Sequence, residues 1–178
     1  QTVSAGYNYL NNRSIKYKEN DDSIESNLRL RSSGLEGKAT TRFENRSNYG
    51  IWIVREGLES SWRHYDTRIF RLTQSDIPID YKSAIGFFMG AVYASADYRS
   101  PDNSLTASAG LRADISSYSS ETAKIWKQIS PRGSISYNFK NGLSLNANAG
   151  LYHQLPPITA LSYRNQEQTL ANNGLEYM

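Results

Sequence analysis

The side chains equipped for chemistry are few and scattered. The 178 residues contain two histidines, His64 and His153, and no cysteine. Without thiols there is no disulfide, no Cys-based zinc site and no thiolate nucleophile, and two histidines are a poor basis for a dedicated zinc centre. No G-x-S-x-G, H-E-x-x-H, P-loop or G-x-G-x-x-G pattern occurs, so no catalytic residue, cofactor site or metal site is assigned. Asn20-Asp21-Asp22-Ser23 with Glu25 offers oxygen ligands, but it lacks the spacing and glycine of a calcium loop, and a turn accounts for it more simply. What remains is polar recognition. Asp97 and Arg99, and Arg112 and Asp114, stand two residues apart and so share one face of a strand. They are candidates to line a polar interior, or else rungs of a charge ladder between strands. His64, in Trp62-Arg63-His64-Tyr65, and Tyr152-His153-Gln154, ahead of Pro156-Pro157, are candidates for contacting a ligand at an exposed mouth, or else solvated loop positions.

The elements that must hold these residues are strands. Asn103–Ser119 alternates Leu105, Ala107, Ala109, Leu111, Ala113 and Ile115 with Thr106, Ser108, Gly110, Arg112, Asp114 and Ser116. Leu143–Tyr152 repeats the alternation, and Pro131–Phe139 sets Ile135, Tyr137 and Phe139 against Ser134, Ser136 and Asn138. Lys140-Asn141-Gly142 between them is a tight hairpin signal. Phe88–Arg99, Ile51–Trp62 and Ile24–Phe43 read as further strands, and the N-terminus starts inside another alternating run. In Ile24–Phe43 the apolar parity switches between Leu30 and Leu35, which predicts a β-bulge at Gly34.

Composition suits two-faced strands. There are 13 Tyr, 5 Phe and 3 Trp, yet mean hydropathy is −0.63 and only 38% of residues are hydrophobic. No run approaches the roughly 20 apolar residues of a membrane helix, whereas a transmembrane strand needs about 9–11 with every second one apolar. Trp52, Trp62, Tyr98, Tyr137 and Phe139 fall near predicted strand ends, where barrels carry aromatic girdles. The net charge of +3 is not gathered into a patch, which argues against nucleic acid as a partner. Short links near Asn45–Asn48, Ser100–Asn103 and Lys140–Gly142 then lie at one end of the sheet. Long loops at Lys18–Ser23, His64–Lys82, Ser119–Gln128 and after Tyr152 lie at the other, as in outer-membrane barrels.

From about Ser61 to Met178 the order of segments resembles the barrel of a TonB-dependent outer-membrane receptor. Tyr93–Arg99 looks like a strand descending to a short periplasmic turn. Ala109-Gly110-Leu111-Arg112-Ala113-Asp114 is similar to a recurring G-x-R-x-D/E strand, and Ile129-Ser130-Pro131-Arg132 with Ile135-Ser136-Tyr137 to an "SPR…sY" strand. Leu143–Gly150 followed by Leu151–Pro157 resembles a strand running out to an extracellular loop. Leu170–Glu176 stands where an "NP-x-LK-x-E" segment is typical, without its Pro and Lys.

The expectation is therefore an all-β antiparallel meander of about seven long strands, residues 1–178 forming part of a transmembrane β-barrel. Both ends look truncated, and neither a signal peptide, a plug domain nor a terminal aromatic strand is evident. The resemblance implies a Gram-negative outer-membrane location. It further implies a parent that binds and imports a scarce nutrient (a siderophore-, vitamin- or oligomer-type ligand), a plug domain and the TonB energy-coupling protein as partners, and lipid around the barrel. An isolated piece, with two open edges, is expected to self-associate. The alternative is a soluble β-sheet ligand-binding module; an enzyme built on such a barrel finds no support in the residues.

Overall fold

The computed structural model describes residues 1–165, 167–172, 174 and 175. Seven antiparallel strands form one open sheet in sequence order: β1 (Thr2–Tyr17), β2 (Leu28–Tyr49), β3 (Trp52–Leu72), β4 (Pro78–Arg99), β5 (Leu105–Ser116), β6 (Ile129–Asn138) and β7 (Ser144–Gly150). A single-turn helix, α1 (Ile158–Leu161), follows. No helix among the described residues is long and apolar enough to cross a membrane, which says nothing of strands.

Short links close one end of the sheet: Gly50-Ile51 between β2 and β3, 100–104 between β4 and β5, and 139–143 between β6 and β7. Gly50 and Gly142 take positive φ there (61° and 86°), which glycine does without steric cost. The other end carries 18–27, 73–77, 117–128 and the chain after β7.

Two boundaries and one irregularity differ from expectation. The first turn lies at Gly50-Ile51 and not near Asn45–Asn48. The anticipated long loop His64–Lys82 is mostly strand, since β3 continues to Leu72 and β4 starts at Pro78. The bulge predicted at Gly34 is absent. Asn12, Gly34, Thr67 and Ser83 pair in unbroken register, and the one shift between β1 and β2 falls where Lys16 meets Leu30 and Tyr17 meets Leu28. Gly34 instead makes room for Tyr65, whose hydroxyl would lie 3.1 Å from any Cβ there.

The parity switch in β2 thus has another cause: the apolar residues change face. In the half near the short turns, one face carries Phe43, Leu58, Val92, Leu111, Ile135 and Leu145, all exposed in this sheet. It is bounded by Trp52 against Tyr98 below (ring centroids 5.1 Å apart) and by Trp62 against Phe88 above. Those two rows are ten residues apart, roughly 33 Å along the strand and about 24 Å along the membrane normal at a 45° tilt, the height of a transmembrane barrel's apolar band. Polar exceptions on this face bond to each other across strands, Thr41 with Ser60 (2.9 Å) and Asn45 with Glu56 (3.1 Å).

Above Trp62 the same face turns polar with His64, Asp66, Arg68 and Lys82, while the opposite face turns apolar. Tyr81, Ile85 and Phe87 are buried there, and their outward neighbours Lys82, Ala84 and Gly86 are exposed. The cover is the chain after β7, which crosses back over the sheet. Leu155, Ile158 and Leu161 pack on Ile85 and Phe87, and Phe87 meets Tyr118 edge-on at 5.6 Å. The Tyr118 hydroxyl lies 3.1 and 3.0 Å from the Leu161 and Asn172 carbonyls, Arg164 Nε donates to Ser83 Oγ (3.2 Å), and Tyr163 packs on Tyr81. In the chain from Thr169 to Met178, Asn173 and Glu176–Met178 lie outside the described residues. The rest forms turns, with Leu170 in a single bridge to Arg164.

Candidate functional site: the polar face

Strand register decides which polar residues meet. Arg55, Glu59 and Arg63 alternate along β3 with Val54, Leu58 and Trp62, so they share the face of Tyr93 and Asp97 on β4 and of Arg112 and Asp114 on β5. Arg55 forms an ion pair with Asp97. Arg112 donates to both carboxylate oxygens of Asp114 from Nε (3.1 and 3.0 Å), and its Nη1 stands 3.6 Å from Glu59. On β2, Arg42 pairs with Glu44 at 2.6 Å, and the Tyr93 hydroxyl accepts from Arg42 Nε (2.9 Å) while donating to Glu44 (3.0 Å). The Tyr93 ring reaches β2 by lying across Gly57, where a Cβ would overlap it. A small cleft of about 50 Å³ lies among Lys38, Glu59, Arg63, Arg112 and Asp114. Among the described residues, Arg63 Nε is the buried side-chain nitrogen with no hydrogen-bond partner.

Of the four interior candidates, Asp97, Arg112 and Asp114 enter this network. Arg99 does not: it sits at the exposed end of β4, and the partner of Asp97 is Arg55. Arg42, Glu44, Arg55, Glu59 and Arg63 were not singled out in the sequence, although the alternation that exposed Arg112 and Asp114 runs equally through Val54–Trp62.

The four ligand-contact candidates are not brought together. His64 is an interior residue of β3, on the face opposite the charge network, with Nε2 2.6 Å from Asp66. His153 Nδ1 lies 3.1 Å from Ser130 Oγ, and Tyr152 stacks under the Arg132 guanidinium at 4.6 Å, both at the far end of β7. Gln154 is exposed beside them. The acidic cluster is a turn. Asp21 accepts from the Ser23 hydroxyl (2.5 Å), the Ser23 amide (3.0 Å) and Asn27 Nδ2 (3.0 Å), which hold its carboxyl below the usual range, the Ser23 hydroxyl most. Glu25 pairs with Arg31 instead.

A two-faced meander of this height, with a charged inner ladder, matches one family description. The model for the TonB-dependent receptor-like β-barrel matches residues 1–176. The chain belongs to that family. Its members are receptors and transporters, not enzymes. Among solved structures it resembles the copper transporter OprC, with a TM-score of 0.65 at 13% identity, over 89% of this chain and 29% of that one. At that identity the likeness is one of fold, and the chain spans under a third of the solved protein. No curated protein sequence matches.

Proposed function

We propose that these residues are a sector of an outer-membrane receptor wall, in a Gram-negative bacterium, through which a nutrient is imported. The observation that carries the reading is the ten-residue apolar belt between Trp52–Tyr98 and Trp62–Phe88, with ion pairs directly behind it. Lipid takes the outer face. The inner face, with Asp97, Arg112 and Asp114 among its charges, lines the lumen and meets a plug domain, which energy coupling through TonB would move. The free Arg63 Nε, buried among paired charges, supports a partner on that side. Tyr152, His153 and Gln154 stand at the extracellular rim. On its own the sheet has two unpaired edges, β1 and β7, and would self-associate through them.

Among the described residues no three His, Asp or Glu side chains converge.

These 178 residues carry no cysteine of their own to compete for a label. In the full-length receptor on intact cells, cysteines at Gln74 or Ser120 should react with an impermeant maleimide. One at Asn141 should react only after the envelope is opened, and one at Leu58 only with a lipid-soluble reagent. Labelling of Asn141 from outside, or of Leu58 by the impermeant reagent, would overturn the reading. Growth on limiting iron chelates, corrinoids or oligosaccharides, with and without the receptor and its energy coupling, would then identify the class.

A further inference from the structure

The apolar belt has a polar gap. Between its two aromatic rows, the outer face of β4–β7 presents only glycine, proline and apolar side chains, Val92, Leu111 and Ile129 among them. On β2 and β3 the same face carries Thr41, Asn45, Ser47, Glu56 and Ser60 in neighbouring rows of the register. Glu56 is exposed, between Trp52 and Trp62 on β3. Its position is roughly 9 Å above the lower edge of the belt and about 14 Å below the upper one, at the usual tilt. Its side chain reaches neither edge, and it forms no ion pair among the described residues.

Hydrogen bonds inside the patch leave a remainder. Asn45 Nδ2 donates to one Glu56 oxygen (3.1 Å) and to Ser47 Oγ (3.3 Å), and the Thr41 and Ser60 hydroxyls share one bond (2.9 Å). Among the described residues, the second Glu56 oxygen, the Ser47 hydroxyl hydrogen and one hydroxyl hydrogen of the Thr41–Ser60 pair have no partner. Lipid tails satisfy none of these, and a polar group left unbonded in hydrocarbon is costly. An acceptor beside two donors makes the patch complementary to itself. Copies of one receptor stand the same way up in a bilayer. A two-fold axis along the membrane normal therefore sets each patch against its own image at the same depth. Ala5 and Ala94, beside Thr41 and Glu56, keep the flanks low enough for close approach. The belt over four strands measures roughly 33 Å by 15–20 Å, about 500–650 Å² from each copy. Two such faces reach the ~1,000 Å² of a specific interface.

We propose that the outer faces of β2 and β3 form the interface of a homodimer within the membrane, in which the free Glu56 oxygen of each copy accepts a hydroxyl hydrogen from the other. The second copy replaces lipid over this patch alone, and the proposal rests on the membrane reading above. It is tested with the full-length receptor, extracted with its surrounding membrane in polymer discs and counted by mass photometry. Wild type should be dimeric. Glu56→Leu, which suits lipid better, should weaken dimerisation by at least about tenfold, since the axis makes each hydrogen bond twice. Glu56→Gln, which keeps an acceptor oxygen, should stay dimeric. In intact membranes with a permeant oxidant, Thr41→Cys or Ser47→Cys should cross-link two receptors above the background of the unsubstituted protein. Ala109→Cys, in the same row as Ser47 but on β5, should not. Leu58→Cys, between the polar rows, should react with a lipid-soluble maleimide several-fold faster once Glu56 is Leu.

A monomeric wild type, or a Glu56→Leu receptor as dimeric as wild type, overturns the proposal. So does cross-linking from Ala109→Cys equal to that from Ser47→Cys, or a Ser47→Cys cross-link to a different protein. A receptor that fails to insert at all refutes the membrane reading, whereas an inserted monomer refutes this inference alone.

Discussion

The lower and upper halves of β2–β4 are the same three strands with opposite surfaces. Below the Trp62–Phe88 row, the outer face is apolar and the inner face carries Arg42, Arg55, Glu59 and Asp97. Above it, the outer face carries Asp66, Arg68 and Lys82, and the inner face buries Tyr81, Ile85 and Phe87. The register runs through the boundary without a slip, so the backbone is the same machine in both halves. On the membrane reading proposed above, what changes is the solvent on each side: lipid outside and a polar interior below, water outside and a folded-back loop above. The apolar parity of a strand therefore reports the two environments it separates, and a parity switch need not mark a bulge.

The strongest way to break this comparison is to remove the apolar partner that only the upper half has. Phe87 is 2% exposed and packs against Leu155, Ile158, Leu161 and Tyr118. Phe87→Ala should cost about 3–5 kcal/mol at that contact. The loss should appear as protease cleavage within 151–175, with the belt still inserted. Unchanged resistance would mean that the loop is held by its hydrogen bonds alone.

A second break uses one strand and one face. Val92 and Ala84 both lie on the outer face of β4, one in mid-belt and the other above it. Val92→Arg should cost about 2–4 kcal/mol and Ala84→Arg about 0–1 kcal/mol, read from urea-titrated folding of the receptor into vesicles. Equal costs would remove the boundary at Trp62.

These contrasts also explain which parts of the molecule were legible in its sequence. β5 and the hairpin of β6 and β7 span little more than the belt, so each keeps one parity throughout, and Leu105–Ile115 or Leu145–Leu151 could be read directly. β3 and β4 cross two environments. Past Trp62 the alternation inverts, and the stretch from His64 to Lys82 then looks irregular although it is mostly strand. In β2 the same inversion imitated a bulge. The inner ladder was half legible: Arg112 and Asp114 announce themselves by spacing, but that Asp97 meets Arg55, and not Arg99, is a matter of register between strands. His64 illustrates the same limit, since only the register puts it on the outer face, away from His153.

A smaller contrast separates two glycines on different strands, Gly57 of β3 and Gly133 of β6. At Gly57 an added Cβ would overlap the Tyr93 ring and the Phe43 carbonyl, whereas at Gly133 the nearest atom is the Ser108 carbonyl oxygen at 3.7 Å. Gly57→Ala should therefore cost about 1–3 kcal/mol by displacing Tyr93 from Arg42 and Glu44. Gly133→Ala should be nearly neutral in the same vesicle-folding measurement. A neutral Gly57→Ala would show that Tyr93 moves aside freely, and that its bonds to β2 add little.

The smallest expected effect lies outside the belt, in the loop that shields the upper inner face. Lys124 and then Lys127 hold the Glu121 carboxylate and lower its pKa to about 2. An unfolded glutamate titrates near 4.3. Because the folded value is the lower one, the ion pairs stabilise the loop fully above about pH 5, and their contribution is lost as the pH falls towards 2. Asp102, in the turn at the opposite end, is likewise lowered to about 2 by Ser100 and Ser104. Amide exchange across 117–128 should then be flat from pH 8 to 5, once corrected for intrinsic rates, and quicken below about pH 4.5. Glu121→Gln should show the quicker exchange at every pH. The pairs lie at the solvent-accessible surface and are screened by salt, so high ionic strength should reproduce part of the Glu121→Gln effect at neutral pH. A pH-independent profile in the wild type would show that Thr122 and Ser119, hydrogen-bonded to each other and to Ser116, order this loop without the charges.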